Sequence, residues 1–275
     1  MADLGQSYER DGYLFPFSVL APEETSRFRD SYLDLAERLG GSPKATQLSL
    51  PHFYYPWAWE LITHPRVLDE VETVLGPDIL VWASSVFPKK AHDPGYISMH
   101  QDGTYWGLEQ GEVTTAWIAL TESSPENGCM RVAPGTHRQP ILPHVETHAE
   151  DNLLTRGQEV QAEVPEDQIA DIILQPGEMS LHHVKIIHGS NPNPSEKPRI
   201  GFAIRYMTPD VRPNEADHAA VLVRGRDGGG HWDLFEGPPN YAGIGEAVAA
   251  HQAAAEEHLR ALTATESAAG RSAPS

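Results

Sequence analysis

The sequence predicts a mainly β protein, a sandwich or barrel of antiparallel strands flanked by helices. Short β-rich runs recur from Ile79 onward, and Gly, Pro and Asn separate them, which is typical of antiparallel all-β architectures. No helix-like crossover lies between consecutive runs, and this disfavours a parallel doubly wound sheet. The runs cover residues 79–87, 96–102, 113–120, 129–133, 172–174, 179–184 and 199–207.

The segments around these runs are assigned from helical periodicity and from turn residues. Residues 11–16 read as a turn into a short strand. The helices are predicted from Pro22 to a stop at Gly40, from Pro65 to a stop at Gly76, and over residues 242–263. Irregular structure is predicted for residues 42–62, for the insertion at 137–168 and for 212–240.

We therefore predict one domain over residues 1–265. Its β core spans about 79–210, with N-terminal helices at about 22–75 and a C-terminal helix at about 242–263. Residues 266–275 are small and polar and are predicted to be a disordered tail.

Composition narrows the choice of partners. The chain of 275 residues carries 20 basic and 39 acidic side chains, a net charge of −19 that repels nucleic acid and anionic membranes. We expect a small-molecule substrate, no nucleic-acid or membrane partner and no obligatory protein partner. A single cysteine, Cys129, excludes an internal disulfide and is typical of a protein in the reducing cytoplasm.

A candidate metal site begins at His100 and Asp102. Residues two apart on a strand point to the same side, so this pair would present an imidazole and a carboxylate together. The best third ligand is His188, which follows an apolar run and precedes a turn. His182 and His183 are rivals for this place. Two histidines and one carboxylate form the facial triad of non-haem Fe(II) oxygenases, although the same ligand types also suit hydrolytic zinc.

The strand at residues 199–205 adds a second clue. Ile200, Phe202 and Ile204 alternate with Arg199, Gly201, Ala203 and Arg205. We predict that the large apolar side chains pack outward against helices. The inner face would then place two guanidiniums beside the metal, where a dicarboxylate could bind the metal at one end and Arg199 at the other. Arg205, on the same face, is a candidate for holding an anionic group of the substrate.

An ordered set of motifs resembles the phytanoyl-CoA dioxygenase family of Fe(II)/2-oxoglutarate-dependent oxygenases. The motifs lie within roughly residues 8–210. In order they are His100-Gln101-Asp102, Ala116-Trp117, Glu126-Asn127-Gly128-Cys129, Pro134-Gly135-Thr136-His137-Arg138, Pro176-Gly177-Glu178, His188-Gly189-Ser190 and Arg199. The resemblance implies a double-stranded β-helix core, the jelly roll of cupin-like proteins.

The resemblance also implies roles for individual residues. His100, Asp102 and His188 would hold Fe(II), and Arg199 would bind the distal carboxylate of 2-oxoglutarate. Gln101, Trp117 and Ser190 match positions that line the co-substrate pocket, and Lys89 or Lys90 matches a further lysine. His182 and His183 would then lie outside the set of ligands.

The expected reaction uses Fe(II), 2-oxoglutarate and O2, and it releases succinate and CO2. Related halogenases have a small residue at the carboxylate position, so the presence of Asp102 favours hydroxylation of an unactivated C–H bond. The substrate would be a small metabolite or a secondary-metabolite intermediate. Desaturation, epoxidation or cyclisation on the same scaffold is the alternative. A cupin-type hydrolytic or isomerising metalloenzyme, or a non-catalytic binding protein, is more distant.

Four segments are candidates for covering the site. They are the aromatic loop at 52–59, residues 104–106, the insertion at 137–168 and the loop at 225–235. Tyr105 and Trp106, which follow the first two ligands closely, are the predicted substrate contacts in the second of these segments.

Overall fold

Strands dominate the described part of the chain. The structure is a computed structural model, and it describes residues 4–106, 108, 111–154, 156–213 and 219–269. Its α-helices are α1 (Leu4–Asp11), α2 (Pro22–Arg38), α3 (Pro56–Ile62), α4 (Pro65–Leu75), α5 (Gly103–Trp106) and α6 (Ile244–Ala269). Its strands are β1 (Tyr13–Ser18), β2 (Ile79–Lys89), β3 (Ile97–His100), β4 (Val113–Ala119), β5 (Met130–Val132), β6 (His144–Glu146), β7 (Gln158–Val160), β8 (Ala170–Ile172), β9 (Glu178–His183), β10 (His188–Ser190), β11 (Arg199–Met207), β12 (Ala219–Arg224) and β13 (Asp233–Leu234).

Two main sheets face each other. The larger has the order β1-β9-β4-β11-β2-β12-β13, and the smaller has the order β3-β10-β5-β8. Neighbours pair antiparallel except β12 with β13. Trp117 and Ala203 of the larger sheet share a buried cluster with Val132 and Ile172 of the smaller one. This two-sheet arrangement confirms the predicted jelly-roll core.

The alternation along β11 determines which side of the larger sheet the helices cover. Ile200, Phe202 and Ile204 lie in the main apolar cluster, together with buried residues of α2, α3 and α4. Ala203 faces the other way, toward Trp117 and the second sheet. The predicted inner and outer faces of β11 are therefore confirmed, and the inner face looks into the space between the sheets.

The N-terminal part contains more helix than predicted. Residues 42–62 include the 3-10 helices Ala45–Leu48 and Pro51–Phe53 and then α3, so the prediction of irregular structure there is wrong. Pro56 suits the first position of α3, and Ala58, Leu61 and Ile62 bury one side of this short helix. The helix α1 was not predicted, because Tyr8 is its one buried residue.

The predicted loops also contain strands. The insertion at 137–168 carries the antiparallel ribbon β6–β7, and the segment 212–240 carries β12 and β13. The last helix continues to Ala269, so residues 266–269 are helical instead of belonging to a disordered tail, and 270–275 lie outside the described residues. None of the described helices combines the length and the hydropathy needed to cross a membrane.

Candidate metal centre and its cavity

Three predicted ligands meet where the smaller sheet borders the cavity. His188 opens β10 and lies directly opposite His100, the last residue of β3. One ligand atom from each of His100, Asp102 and His188 lies within 4.8 Å of the others. The Nε2 atoms of His100 and His188 are 3.3 and 3.9 Å from Oδ1 of Asp102.

Two details of this placement differ from the prediction. The strand β3 ends at His100, so Asp102 lies in the turn before α5 and not on the strand itself. His188 begins a strand instead of ending one. The turn brings the Asp102 carboxylate back toward the imidazole of His100. The two side chains are therefore presented together, as expected, although Asp102 is not on the strand.

Backbone hydrogen bonds orient both imidazoles. Nδ1 of His100 donates to the carbonyl of Ser98 at 2.9 Å, and Nδ1 of His188 donates to the carbonyl of Ile186 at 3.1 Å. With the proton on Nδ1, the Nε2 lone pair of each ring faces Asp102 and is available to a metal. Burial lowers the pKa of His188 to about 3, which keeps that ring in the neutral form that metals bind.

The carboxylate of Asp102 is held in its ionised form. Burial by itself raises the pKa of this group, but His188, His100 and His182 surround it and together lower the pKa well below its usual range. Neutral imidazoles with an ionised carboxylate are the donor set that a divalent metal requires.

The rival histidines do not join this set. Nε2 of His182 lies 3.9 Å from Oδ2 of Asp102, so His182 borders the centre without entering the group of three. His183 faces away, with Nε2 3.5 Å from Glu112. His182 lies in β9 and His188 in β10, and these strands belong to different sheets.

Two cations lie together further along the inner face of the larger sheet. Arg199 of β11 is opposite Lys89 of β2. Arg199 is 1% exposed, and its Nε and Nη2 atoms have no hydrogen-bond partner among the described residues. Burial lowers the pKa of Arg199 to about 10, and burial together with the charge of Arg199 lowers the pKa of Lys89 to about 6.

The three candidate ligands and Arg199 line one cavity between the sheets, and Lys89 is buried behind this wall. The volume of the cavity is about 570 Å³. The predicted site residues among its lining are His100, Gln101, Asp102, Trp106, Trp117, His188, Ser190, Arg199 and Arg205. The structure therefore brings every predicted site residue to one cavity except Tyr105, whose side chain lies outside the described part of the chain.

With this geometry established, comparison with known proteins identifies the family. The model of the phytanoyl-CoA dioxygenase (PhyH) family matches residues 8–201, well over half of the chain. The chain belongs to this family. The phytanoyl-CoA dioxygenase fold and the His-Asp-His cluster together make the protein an oxidoreductase that depends on Fe(II), 2-oxoglutarate and O2.

Individual relatives of this dioxygenase differ in how much of the chain they match. A probable alpha-ketoglutarate-dependent hypophosphite dioxygenase of Stutzerimonas stutzeri is 29% identical over 185 residues, 64% of this chain and 63% of that protein. The 1-deoxypentalenic acid 11-beta-hydroxylase of Streptomyces exfoliatus is 27% identical over 216 residues, 71% of this chain and 76% of that protein. A solved structure of the non-heme monooxygenase ThoJ is 31% identical with a TM-score of 0.76, covering 94% of this chain and 99% of ThoJ.

The residues matched to the family's co-substrate pocket have distinct surroundings in this dioxygenase. Trp117 of β4 lies beside Arg199, whose Cζ is 5.4 Å from the indole ring. The Ser190 hydroxyl accepts a hydrogen bond from Lys89 Nζ at 2.7 Å. The amide of Gln101 is engaged at both ends, since its Nε2 donates to the Lys185 carbonyl and its Oε1 accepts from a backbone amide of the 137–168 insertion.

Between the two candidate lysines, the structure places Lys89 at the site. Lys89 is fully buried next to Arg199. Lys90 is exposed, and its Nζ reaches the carbonyl of Gly41 at 3.0 Å. Alternation along β2 explains the difference, because neighbouring residues on a strand point to opposite faces.

Three of the four predicted covering segments contribute to the cavity wall. They supply Tyr54 from 52–59, Trp106 from 104–106, and Leu153, Leu154, Arg156 and Gln158 from the insertion. The described lining includes no residue of 225–235. Instead, Trp232 of that segment packs in a buried apolar cluster and donates its indole N–H to the carbonyl of Val211.

Sequence reasoning missed the contribution of the last helix. His251, Ala254 and Ala255 of α6 line the cavity, although α6 begins 37 residues after the end of β11 (244 − 207). His251 donates through Nε2 to the carbonyl of Ser49 and accepts from the Tyr55 hydroxyl at 3.0 Å. A buried histidine in an otherwise alanine-rich helix is the signal that could have indicated this docking.

Proposed function

We propose that this dioxygenase hydroxylates an unactivated C–H bond of a small molecule and releases succinate and CO2. In this proposal His100, Asp102 and His188 hold Fe(II), and Arg199 binds the distal carboxylate of 2-oxoglutarate. The observation that carries it is the unpaired, buried guanidinium of Arg199 in the same cavity as the three ligands.

The donor set supports iron as the metal. Two imidazole nitrogens and one carboxylate occupy one side of the site, and this leaves further positions for a chelating co-substrate and O2. The bonds from Nδ1 of His100 and His188 to backbone carbonyls restrain both rings and raise their basicity as ligands.

The cations support a dicarboxylate. A buried guanidinium without a partner is destabilising, because its desolvation is not compensated by hydrogen bonds or by an opposite charge. Among the described residues, no carboxylate forms an ion pair with Arg199 or Lys89. A bidentate carboxylate would pair with Arg199 through two charge-assisted hydrogen bonds, as a second guanidinium nitrogen is available there.

The remaining cavity residues would position the reactants and limit the access of water. Iron with 2-oxoglutarate and O2 supplies the oxidising power that breaks the C–H bond. Trp117 would cover the bound co-substrate on the side of Arg199, and Lys89 would keep Ser190 in place. Trp106 and Tyr54 would enclose the substrate on the open side.

The alternative reactions differ from hydroxylation in their product or in their use of Arg199. Desaturation, epoxidation or cyclisation would use the same residues, and analysis of the product separates these outcomes from hydroxylation. The name of the Streptomyces relative, a hydroxylase, favours hydroxylation. A hydrolytic metalloenzyme would not need the unpaired guanidinium of Arg199, and a protein that only binds ligands would form no succinate.

The cellular setting is part of the proposal. A net charge of −19 supports a substrate that is neither nucleic acid nor membrane. The buried, unpaired Cys129 is consistent with the cytoplasm. We propose no obligatory protein partner, and a role in secondary metabolism is a further expectation.

The assignment is tested by adding Fe(II) and 2-oxoglutarate without oxygen and recording the visible charge-transfer band of the complex. The wild type should show the band, and His188→Ala should lose it. His183→Ala is the matched control, because His183 lies nearby but faces Glu112, so this variant should keep the band. No band in the wild type, or an unchanged band in His188→Ala, contradicts the proposed site.

A further inference from the structure

A second guanidinium shares the cavity with Arg199. Arg205 lies on the same face of β11, six residues further along the strand, and it lines the cavity. Its Nη1 donates to Ser85 Oγ at 2.9 Å, and its Cζ lies 5.5 Å from the ring of Phe87 and 5.6 Å from a ring of Trp106. These contacts place the guanidinium beside two aromatic side chains.

Arg205 has no ion-pair partner among the described residues, and the Asp102 carboxylate, a candidate metal ligand, favours its charge only from a longer distance. No described carboxylate lies within 4.0 Å of its guanidinium nitrogens. Arg156, which lines the same cavity, shows the contrast, because its Nη1 contacts Glu146 at 3.2 Å. An arginine without an ion pair is unusual in a chain with a net charge of −19, because acidic side chains outnumber basic ones.

The position of Arg205 separates it from the co-substrate. It pairs with Thr115 of β4, whose Oγ1 lies 3.5 Å from Oδ2 of Asp102, so Arg205 is at the metal end of the strand. Six residues of strand place its Cα about 20 Å from that of Arg199. A 2-oxoglutarate molecule that binds the metal and Arg199 therefore extends away from Arg205 and does not balance its charge.

The surroundings of Arg205 indicate what kind of anion fits. Phe87 and Trp106 lie beside the guanidinium, and Trp82 packs against Trp106, so the cavity wall is apolar here. Such a wall suits a hydrocarbon skeleton, and the free edge of a planar guanidinium suits a carboxylate, which it can bind through two parallel hydrogen bonds. The guanidinium is half-buried, and this makes recognition there stronger than it would be on the open surface.

We propose that Arg205 binds the carboxylate of the substrate, and hence that this enzyme oxidises a small carboxylic acid with an apolar skeleton. The inference rests on the proposed function and adds a substrate class to it. Pairing with Arg205 would also engage the oxygens of this carboxylate, so that they do not compete with 2-oxoglutarate for the metal. The C–H bond that reacts is then set by its distance from the acid group.

The test measures the affinity of matched probes for the enzyme loaded anaerobically with Fe(II) and 2-oxoglutarate. The probes are 3-phenylpropanoate, its neutral amide 3-phenylpropanamide, and 2-phenylethylphosphonate. Titration calorimetry gives each affinity, and quenching of tryptophan fluorescence reports the neighbourhood of Trp82 and Trp106. In the wild type we expect the carboxylate to bind at least tenfold more tightly than the amide.

Variants connect this preference to Arg205. Arg205→Met should bring the affinity ratio of acid to amide close to one, and Arg205→Lys should keep part of the preference because the charge remains. Arg156→Met, which removes the ion-paired arginine of the same cavity, should leave the ratio unchanged. The affinity for 2-oxoglutarate and the charge-transfer band should persist in Arg205→Met, which also shows that the variant is folded.

Several results would overturn the inference. They are equal binding of acid and amide by the wild type, no binding of either probe, or an undiminished preference in Arg205→Met. Tighter binding of the phosphonate than of the carboxylate would assign the site to phosphorus oxyanions instead. Absence of the charge-transfer band in the wild type, with the acid preference retained, would contradict the proposed function and leave Arg205 as a carboxylate-binding residue without the oxidation.

Discussion

The two ends of the cavity are built in different ways. The metal end, formed by His100, Asp102 and His188, lies on the last residue of one short strand, the turn after it and the first residue of another. The cation end, formed by Arg199 and Lys89, lies on the two longest strands of the larger sheet, β11 and β2. Of these five residues, only Asp102 is acidic, and it lies at the metal end.

This difference implies different energetics at the two ends. At the metal end, each imidazole bonds a backbone carbonyl, and the carboxylate is surrounded by imidazoles, so the buried polar groups already stabilise one another. At the cation end, two buried basic side chains lie together, and the charge of Arg199 disfavours the charge of Lys89. We infer that the metal end is preorganised, whereas the cation end reaches its full stability when an anion binds.

The largest expected effect separates co-substrate binding from metal binding. Arg199→Met should weaken 2-oxoglutarate binding by about 100-fold, as two charge-assisted hydrogen bonds are worth roughly 3 kcal/mol or more. The affinity for Fe(II) or Co(II) should stay at the wild-type value, because no ligand is altered. Anaerobic titrations of the metal and then of 2-oxoglutarate measure the two affinities independently.

Two further variants sharpen this result. Arg199→Lys keeps the charge but loses the planar fork, so its affinity for 2-oxoglutarate should be intermediate. Arg205→Met removes a guanidinium from the other end of the same strand face and should leave 2-oxoglutarate affinity unchanged. If Arg199→Met bound 2-oxoglutarate as the wild type does, the cation end would not be the co-substrate site.

A smaller effect is expected from adding one methyl group between the two ends. A Cβ at Gly201 would lie 1.9 Å from Cζ2 of Trp117, so Gly201→Ala must displace the indole or the strand. Overpacking of this kind costs about 1–3 kcal/mol of stability, and displacement of Trp117 should also weaken 2-oxoglutarate binding. Urea unfolding measures the first effect, and titration with 2-oxoglutarate measures the second.

Gly245→Ala serves as the control for this substitution. Gly245 lies in α6 with no atom within 4 Å of an added Cβ, so the change should be neutral or slightly stabilising because alanine favours helix. Wild-type stability in Gly201→Ala would mean that Trp117 has room to move, and that the indole does not restrict the cation end.

Sequence reasoning was most successful where strand periodicity determines the structure. The alternation of β11 correctly predicted that Arg199 and Arg205 face inward and that the large apolar residues Ile200, Phe202 and Ile204 pack outward. Both faces of this strand are buried, and a shift of one residue in the pairing would exchange the inward and outward side chains. The three candidate ligands lie close together as predicted. The two sheets form the predicted jelly-roll core.

It was less successful where tertiary contacts decide the conformation. Nothing local indicates that β3 ends at His100, so Asp102 was placed on a strand instead of in a turn. The helix α1 is polar apart from Tyr8, whose hydroxyl bonds Thr114 of the larger sheet at 2.7 Å. The contact of α6 with the cavity joins segments about 200 residues apart, and such contacts leave no periodic signal.

The smallest predicted effect is a pH dependence that arises at the cation end. The pKa of Lys89 is about 6 in the folded protein, lowered from 10.5 by burial and by Arg199. Between these values the unfolded chain binds more protons than the folded one, so this group makes the free energy of unfolding rise with pH. Lys89→Met should remove a slope on the order of 1 kcal/mol per pH unit. Urea unfolding at pH 7, 8 and 9 measures the slope, and Lys90→Met, at the exposed neighbour, should retain it. Saturating 2-oxoglutarate should reduce the slope of the wild type, because an anion at Arg199 favours the charged form of Lys89. Equal slopes in the wild type and Lys89→Met would show that Lys89 stays charged in the folded protein. Burial and Arg199 would then not lower the pKa of Lys89 into the range tested.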